Sequence, residues 1–132
     1  MPSEKKKILI IDDEEDFCFF VRANLELLGN FKVLIANDGK KGIWVANFHK
    51  PDLILLDIMM PGIDGFEVLK RLKEGTKTLS IPVIMLTARS DEESRIKASG
   101  LYNEDYIVKP FEIGVLKSKV ENTLARFAAN TA

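Results

Sequence analysis

One cysteine and one histidine are all that 132 residues offer of the side chains most used for disulfides and zinc sites. Cys18 has no second cysteine to pair with, and Cys18 together with His49 cannot supply a four-ligand zinc site. A reducing compartment suits such a chain, and a cytoplasmic location is expected. Long apolar runs are also missing. The longest, 17–21 (FCFFV), falls far short of the roughly 20 residues a spanning helix needs, and no apolar stretch of a secretory signal opens the chain. No membrane partner is expected. Neither sign of charge is in excess, with 19 Lys and Arg against 20 Asp and Glu. The one basic run, 5–7, reads as a solvated leader before a strand, so nucleic-acid binding by this chain alone is not expected. With 8 Gly and 5 Pro, collagen-like and low-complexity classes are excluded.

What is present suits one domain over residues 1–132. The chain is 46% hydrophobic and long enough to build an ordinary core without staples. Short apolar runs at 8–11, 33–36, 53–56, 83–86 and 106–108, several rich in Ile and Val, predict buried strands. Helical spacing separates them: Phe17, Val21, Leu25 and Leu28 before a stop at Gly29; Ile43 and Ala46 with Trp44 and Phe48; Phe66, Leu69 and Leu72; and Leu116, Val120, Leu124 and Phe127. A fourth helix over 91–99 has few apolar residues and is expected to be the least firmly packed. Asn37, Asp38 and Gly39 read as a turn into the second helix. Strands alternating with helices predict βαβ units, a parallel five-stranded sheet and a three-layer α/β sandwich.

The informative residues follow the strands. The first strand ends in Asp12 and Asp13, the third in Asp57, the fourth in Thr87 and the fifth in Lys109 and Pro110. In an open parallel sheet these carboxyl ends share one edge, where ligands bind. Each residue alone has an ordinary explanation, since Asp or Thr after a strand is a good helix cap. Three carboxylates at one edge do not, because they repel unless a cation or a raised pKa relieves them.

Carboxylates without Cys or His favour a hard divalent ion, and Mg²⁺ typically takes one or two carboxylates, waters and a phosphate oxygen. Lys109 adds a compact positive charge and Thr87 a hydroxyl for phosphoryl oxygens. With no Walker loop or dinucleotide fingerprint, a bound nucleotide is not indicated. The phosphoryl group is expected on a carboxylate instead, and Asp57, alone at the end of the third strand, is the best acceptor.

Together these motifs resemble the receiver domain of two-component response regulators, the CheY-like family of flavodoxin-like folds. The resemblance rests on the pair Asp12 and Asp13, the segment 51–65 (PDLILLDIMMPGIDG), Thr87 with Ala88, and Lys109, Pro110 and Phe111. It covers a core of about 6–127. It implies a sheet of order 2-1-3-4-5 with five helices. It further implies that Asp57 accepts phosphate from a sensor histidine kinase or histidine phosphotransferase. Mg²⁺ would sit on Asp12, Asp13, Asp57 and the backbone carbonyl of Met59, with Asp12 acting through water. Thr87 and Lys109 would bind the phosphoryl oxygens, and Tyr106 would be the switch aromatic. Pro110 resembles the family's proline after a cis peptide, and Gly62 and Gly65 fit the tight loop beside the acceptor. The surface of the fourth helix, fifth strand and last helix would then change for an effector or output domain that the sequence does not name, with a phosphorylation-dependent dimer as one option.

The segment from Gly100 to Tyr106 is about two residues longer than the family pattern, which puts the nearby output surface in question. Met59 and Arg89, each two residues past a site residue, are expected to slow dephosphorylation relative to a polar pair. Trp44 and Phe48 are expected in core or groove packing, His49 in a loop, and Cys18 as a small packing residue. The rival classes are a haloacid-dehalogenase-like phosphatase, disfavoured by Met59 where a second aspartate would act as general acid, and a pseudo-receiver, which would have lost an acidic residue or the lysine. A whole regulator, a phosphorelay shuttle and an excised receiver all stay open.

Overall fold

The computed structural model describes residues 4–88 and 103–131. Five strands, β1 (Lys6–Ile11), β2 (Phe31–Ala36), β3 (Leu53–Asp57), β4 (Val83–Thr87) and β5 (Asp105–Val108), form one sheet in the order β2-β1-β3-β4-β5. Every neighbouring pair is parallel. Among the described residues four helices join them: α1 (Glu15–Leu28), α2 (Gly39–His49), α3 (Gly65–Glu74) and α4 (Ile113–Thr131). The helix expected over 91–99 lies outside the described residues, as do Arg89 and residues 100–102 of the long segment.

The apolar runs of β1, β3 and β4 form strands because their residues are buried on both faces, whereas the edge strands β2 and β5, expected to be buried, are only partly so. In β1, Ile8 and Ile10 enter one core with Cys18, Val21 and Leu25 of α1 and Leu116 and Val120 of α4. Leu9 and Ile11 enter the other, with Val45 and Ala46 of α2 and Val68, Leu69 and Leu72 of α3. The period of two in the strands thus divides one run between two helical layers. Local signals set the helix ends. Asp38 and Asp64 accept the N–H of Lys41 and Glu67 at 2.8 and 2.9 Å, as good N-caps do. At the other end of α1, the Gly29 N–H closes onto Leu25.

Several expectations need correction. Trp44 and Phe48 are exposed and stack on each other, with centroids 4.9 Å apart and planes 19° apart. Helical spacing puts them on one stripe, but that stripe faces away from the sheet. Leu28 is also exposed. His49 is the last residue of α2. Lys6 and Lys7 belong to β1, and Lys7 is no free leader. Its N–H reaches Asp52 Oδ2 at 2.8 Å and its ammonium reaches the His49 carbonyl at 2.6 Å, a cation at the C-terminus of α2.

Candidate functional site

Strand register aligns the carboxyl ends. Ile11 pairs with Leu56, Asp57 with Leu86, and Thr87 with Val108, so the residues that follow emerge side by side. Asp12 is fully buried and Asp57 almost so, while Asp13 is exposed. One carboxylate oxygen from each of the three lies within 4.8 Å of the others, a cluster that could hold a metal ion. Thr87 is fully buried at the end of β4, and its carbonyl accepts the Lys109 N–H at 2.6 Å. The Lys109–Pro110 peptide is cis.

The Lys109 ammonium stands among these acids. It lies 2.7 Å from Asp12 Oδ2, 3.3 Å from Glu14 Oε1 and 3.7 Å from Asp57 Oδ1. Asp12 also accepts the Glu14 N–H at 2.9 Å through its other oxygen. Charges held this close shift one another. Burial, with the neighbouring charge of Asp12, pushes the Asp57 carboxyl up to about 7 against the partial relief of Lys109. Burial likewise raises Asp12, despite its bonds from Lys109 and Glu14. For Lys109 burial acts downward, but the bond to Asp12 and the charges of Asp57 and Asp12 outweigh it, and the ammonium is held above its ordinary value. The site is short of positive charge, which is the electrostatic condition that favours a bound cation.

The loop between β3 and α3 is built tightly around Asp57. The Gly65 N–H bonds the Ile58 carbonyl at 2.8 Å, and a Cβ on Gly65 would meet the Asp57 carbonyl oxygen and Ile58 Cα. Gly62 has φ +79°, the left-handed region that glycine enters without strain. Met59, two residues past Asp57, is exposed. A groove of about 550 Å³ opens beside Lys109, lined by Phe17, Phe20, Ala88, Pro110 and Phe111.

The family model described as the response regulator receiver domain matches residues 8–121. The chain belongs to the response regulator receiver domain family. Such domains are signalling domains of two-component systems. Among curated relatives, this receiver is 40% identical over 121 residues to the alkaline phosphatase synthesis transcriptional regulatory protein PhoP of Bacillus subtilis, covering 92% of this chain and 49% of that one. It is 41% identical over 120 residues to the DNA-binding dual master transcriptional regulator RpaA of Synechocystis, covering 91% and 49%. The chain therefore spans about half the length of the curated relatives it matches. A CheY-like receiver domain protein from Methanospirillum hungatei superposes with a TM-score of 0.86 at 25% identity, covering 96% of this chain and 98% of that one. The signal receiver domain of a Syntrophus aciditrophicus histidine kinase does so with 0.81 at 30% identity, covering 91% and 90%.

The fold brings Asp12, Asp13, Asp57 and Lys109 of this receiver together, with Thr87 at the same edge. Tyr106 stands apart, at the start of β5, half-buried against the core under α2 and α3. Three residues of the site do not stand out in the sequence. Glu14 bonds Lys109, and its only signal is the acidic run 12–16 (DDEED). Phe17 lies under the Lys109 ammonium, which only the crossing of α1 past the end of β5 creates. Asn37, which reads as part of a turn, donates to the Asp12 carbonyl at 3.0 Å.

Proposed function

We propose that this chain works as one phospho-accepting receiver domain, taking a phosphoryl group from a phosphohistidine onto Asp57. The observation that carries the proposal is the buried Asp57 carboxylate beside Asp12, Asp13 and the Lys109 ammonium. A sensor histidine kinase or histidine phosphotransferase is the donor partner, and the cytoplasm is the compartment. An Asp57 oxygen attacks phosphorus; the new P–O bond forms as the P–N bond breaks, and the departing imidazole keeps the electron pair and takes a proton from solvent.

Asp12, Asp13 and Asp57 with the Met59 carbonyl would hold Mg²⁺, which when bound neutralises charge on the transferring group. Lys109 binds one phosphoryl oxygen by its ammonium and Thr87 another by its hydroxyl, so catalysis is positioning and charge stabilisation. The added charge of roughly −1.5 to −2 draws Thr87 toward the acceptor. Tyr106 follows inward, changing the surface of β5, α4 and the helix expected over 91–99. Effector choice and dimerisation belong to that surface.

The test is intact mass after incubation with acetyl phosphate, with Mg²⁺ or with EDTA, on the native chain and Asp57→Asn. A single phosphoryl gain that needs both Mg²⁺ and Asp57 supports the proposal. No gain from acetyl phosphate or from a phosphorylated kinase, in a folded chain, overturns it.

A further inference from the structure

Asp12 is tied to the end of β2 on both sides of its backbone. Its N–H donates to the Ala36 carbonyl at 3.0 Å, and its carbonyl accepts from Asn37 Nδ2 at 3.0 Å. The same carbonyl takes the Cys18 thiol at 3.4 Å, and Asn37 Nδ2 lies 3.7 Å from that sulfur. Groups from α1 and the β2–α2 turn thus close on one oxygen at the end of β1. That oxygen belongs to the peptide between Asp12 and Asp13. Fixing its direction fixes the plane of that peptide, and with it the course of the chain into Asp13.

This matters because the three carboxylates are held very unequally. Asp12 is anchored by Lys109 and by the Glu14 N–H, and Asp57 is enclosed by β3, β4 and Gly65. Asp13 is exposed, just beyond the end of β1. Its backbone course therefore depends on the peptide that precedes it. We infer that Asn37 is a positioning residue for the acidic site, holding the Asp12–Asp13 peptide so that Asp13 joins Asp12 and Asp57 around one cation. The inference rests on the receiver function proposed above. Asn37 touches neither phosphoryl group nor metal; it acts through the Asp12 carbonyl. The buried Cys18 thiol, 3.4 Å from the same carbonyl, serves as the second donor. Groups that orient metal-binding residues from outside typically change metal affinity by about tenfold or more when removed.

The test is titration calorimetry of the full chain with MgCl₂ alone, on the native protein, Asn37→Ala and Asn37→Leu. Leucine keeps the branched outline of the side chain, fills the space at least as fully and removes the donor. Both variants are expected to bind Mg²⁺ about tenfold more weakly, with thermal midpoints in EDTA close to native. The Asp13 amide resonance of the metal-free protein is expected to move in both, while those of Leu9 and Ile10 stay. Native-like affinity in both variants overturns the inference. Weak binding in Asn37→Ala with native binding in Asn37→Leu also overturns it, since packing then explains the effect. If one variant fails to fold, the other with the Asp13 resonance decides. A native chain that binds no Mg²⁺ and gains no phosphoryl group refutes the receiver chemistry itself, whereas with a native chain that does both, the variants test Asn37 alone.

Discussion

The Lys109 ammonium sits 4.1 Å from the centroid of the Phe17 ring. Phe17 in turn meets Phe111 edge-on, with centroids 5.8 Å apart. A cation over an aromatic face is attracted by the ring quadrupole, by about 2 kcal/mol where water is excluded. The Lys109 side chain is only 14% exposed, so the ring both attracts the ammonium and shields its bonds to Asp12 and Asp57. Phe17→Leu is expected to lower stability by about 1–2 kcal/mol in urea denaturation and to slow phosphorylation of Asp57 severalfold. Phe19→Leu, at an exposed position of the same helix where the ring meets the Arg22 guanidinium at 5.2 Å, is the control for the site and is expected to leave phosphorylation unchanged.

Asp57 gives the site a pH dependence with a definite sign. Its folded pKa of about 7 lies above the ordinary 3.8, so the folded state binds this proton more tightly than the unfolded chain does. The resulting stabilisation is complete below about pH 4 and is lost as pH rises through about 7. Without metal, Asp57→Asn is therefore expected to be more stable than native at pH 8, by about 1–2 kcal/mol. The gain should shrink steadily as pH falls to 5. Thermal melts in EDTA across that range check it; a gain that is constant with pH would show that Asp57 is not the titrating group. The same proton competes with Mg²⁺, whose affinity is expected to fall below about pH 7.

Much of this is legible in the sequence, for a physical reason. Strands buried on both faces need unbroken apolar runs, so 8–11, 53–56 and 83–86 stand out, and the polar residue ending each run marks the sheet edge. Helical stripes are less informative. Spacing shows that Trp44 and Phe48 share a helix face but not which way it points, and here it points outward. Lys7 does not read correctly from sequence because its partners are distant along the chain: its ammonium meets the His49 carbonyl and its backbone N–H meets Asp52. Phe17 and Asn37 belong to the same class: each meets the site only after helix and turn have folded back onto the strand ends.

Lys109 is the one ammonium among the described residues that bonds Asp12 and Asp57. Lys109→Met leaves those carboxylates uncompensated and is expected to cost about 2–4 kcal/mol at pH 8. Excess MgCl₂ should restore part of that loss, because a cation on Asp12, Asp13 and Asp57 supplies the missing charge. Phosphorylation should not recover, since no ammonium meets the phosphoryl oxygen. Urea unfolding with and without MgCl₂, beside phosphoryl uptake by mass, separates the two roles. Restoration of neither would argue against a cation at the cluster.

Gly65 and Gly114 provide a matched pair. A Cβ at Gly65 meets backbone atoms of Asp57 and Ile58, whereas at Gly114 it meets nothing within 4 Å. Backbone cannot step aside as a side-chain tip can, so Gly65→Ala is expected to lose about 2 kcal/mol and to displace Asp57. Gly114→Ala, near the start of α4, should gain about 0.5 kcal/mol from helix propensity. Urea denaturation of the two variants gives the comparison. Equal effects at the two positions would contradict the close approach of α3 to Asp57.

Trp44 is the only tryptophan in the chain, so its fluorescence reports one position. At 57% exposure, stacked on a Phe48 that is 70% exposed, it should emit nearly as in the unfolded protein and be quenched readily by iodide. Trp44→Ser and Phe48→Ser should each cost no more than about 0.5 kcal/mol, as surface substitutions usually do. Core aromatics would cost about 3–5 kcal/mol on truncation. A blue-shifted, protected Trp44 together with such a loss would place the pair in packing after all, and the outer face of α2 would need to be redrawn. A red-shifted Trp44 with unchanged stability would instead mean that the α2 stripe carries apolar area that the fold of the monomer does not use.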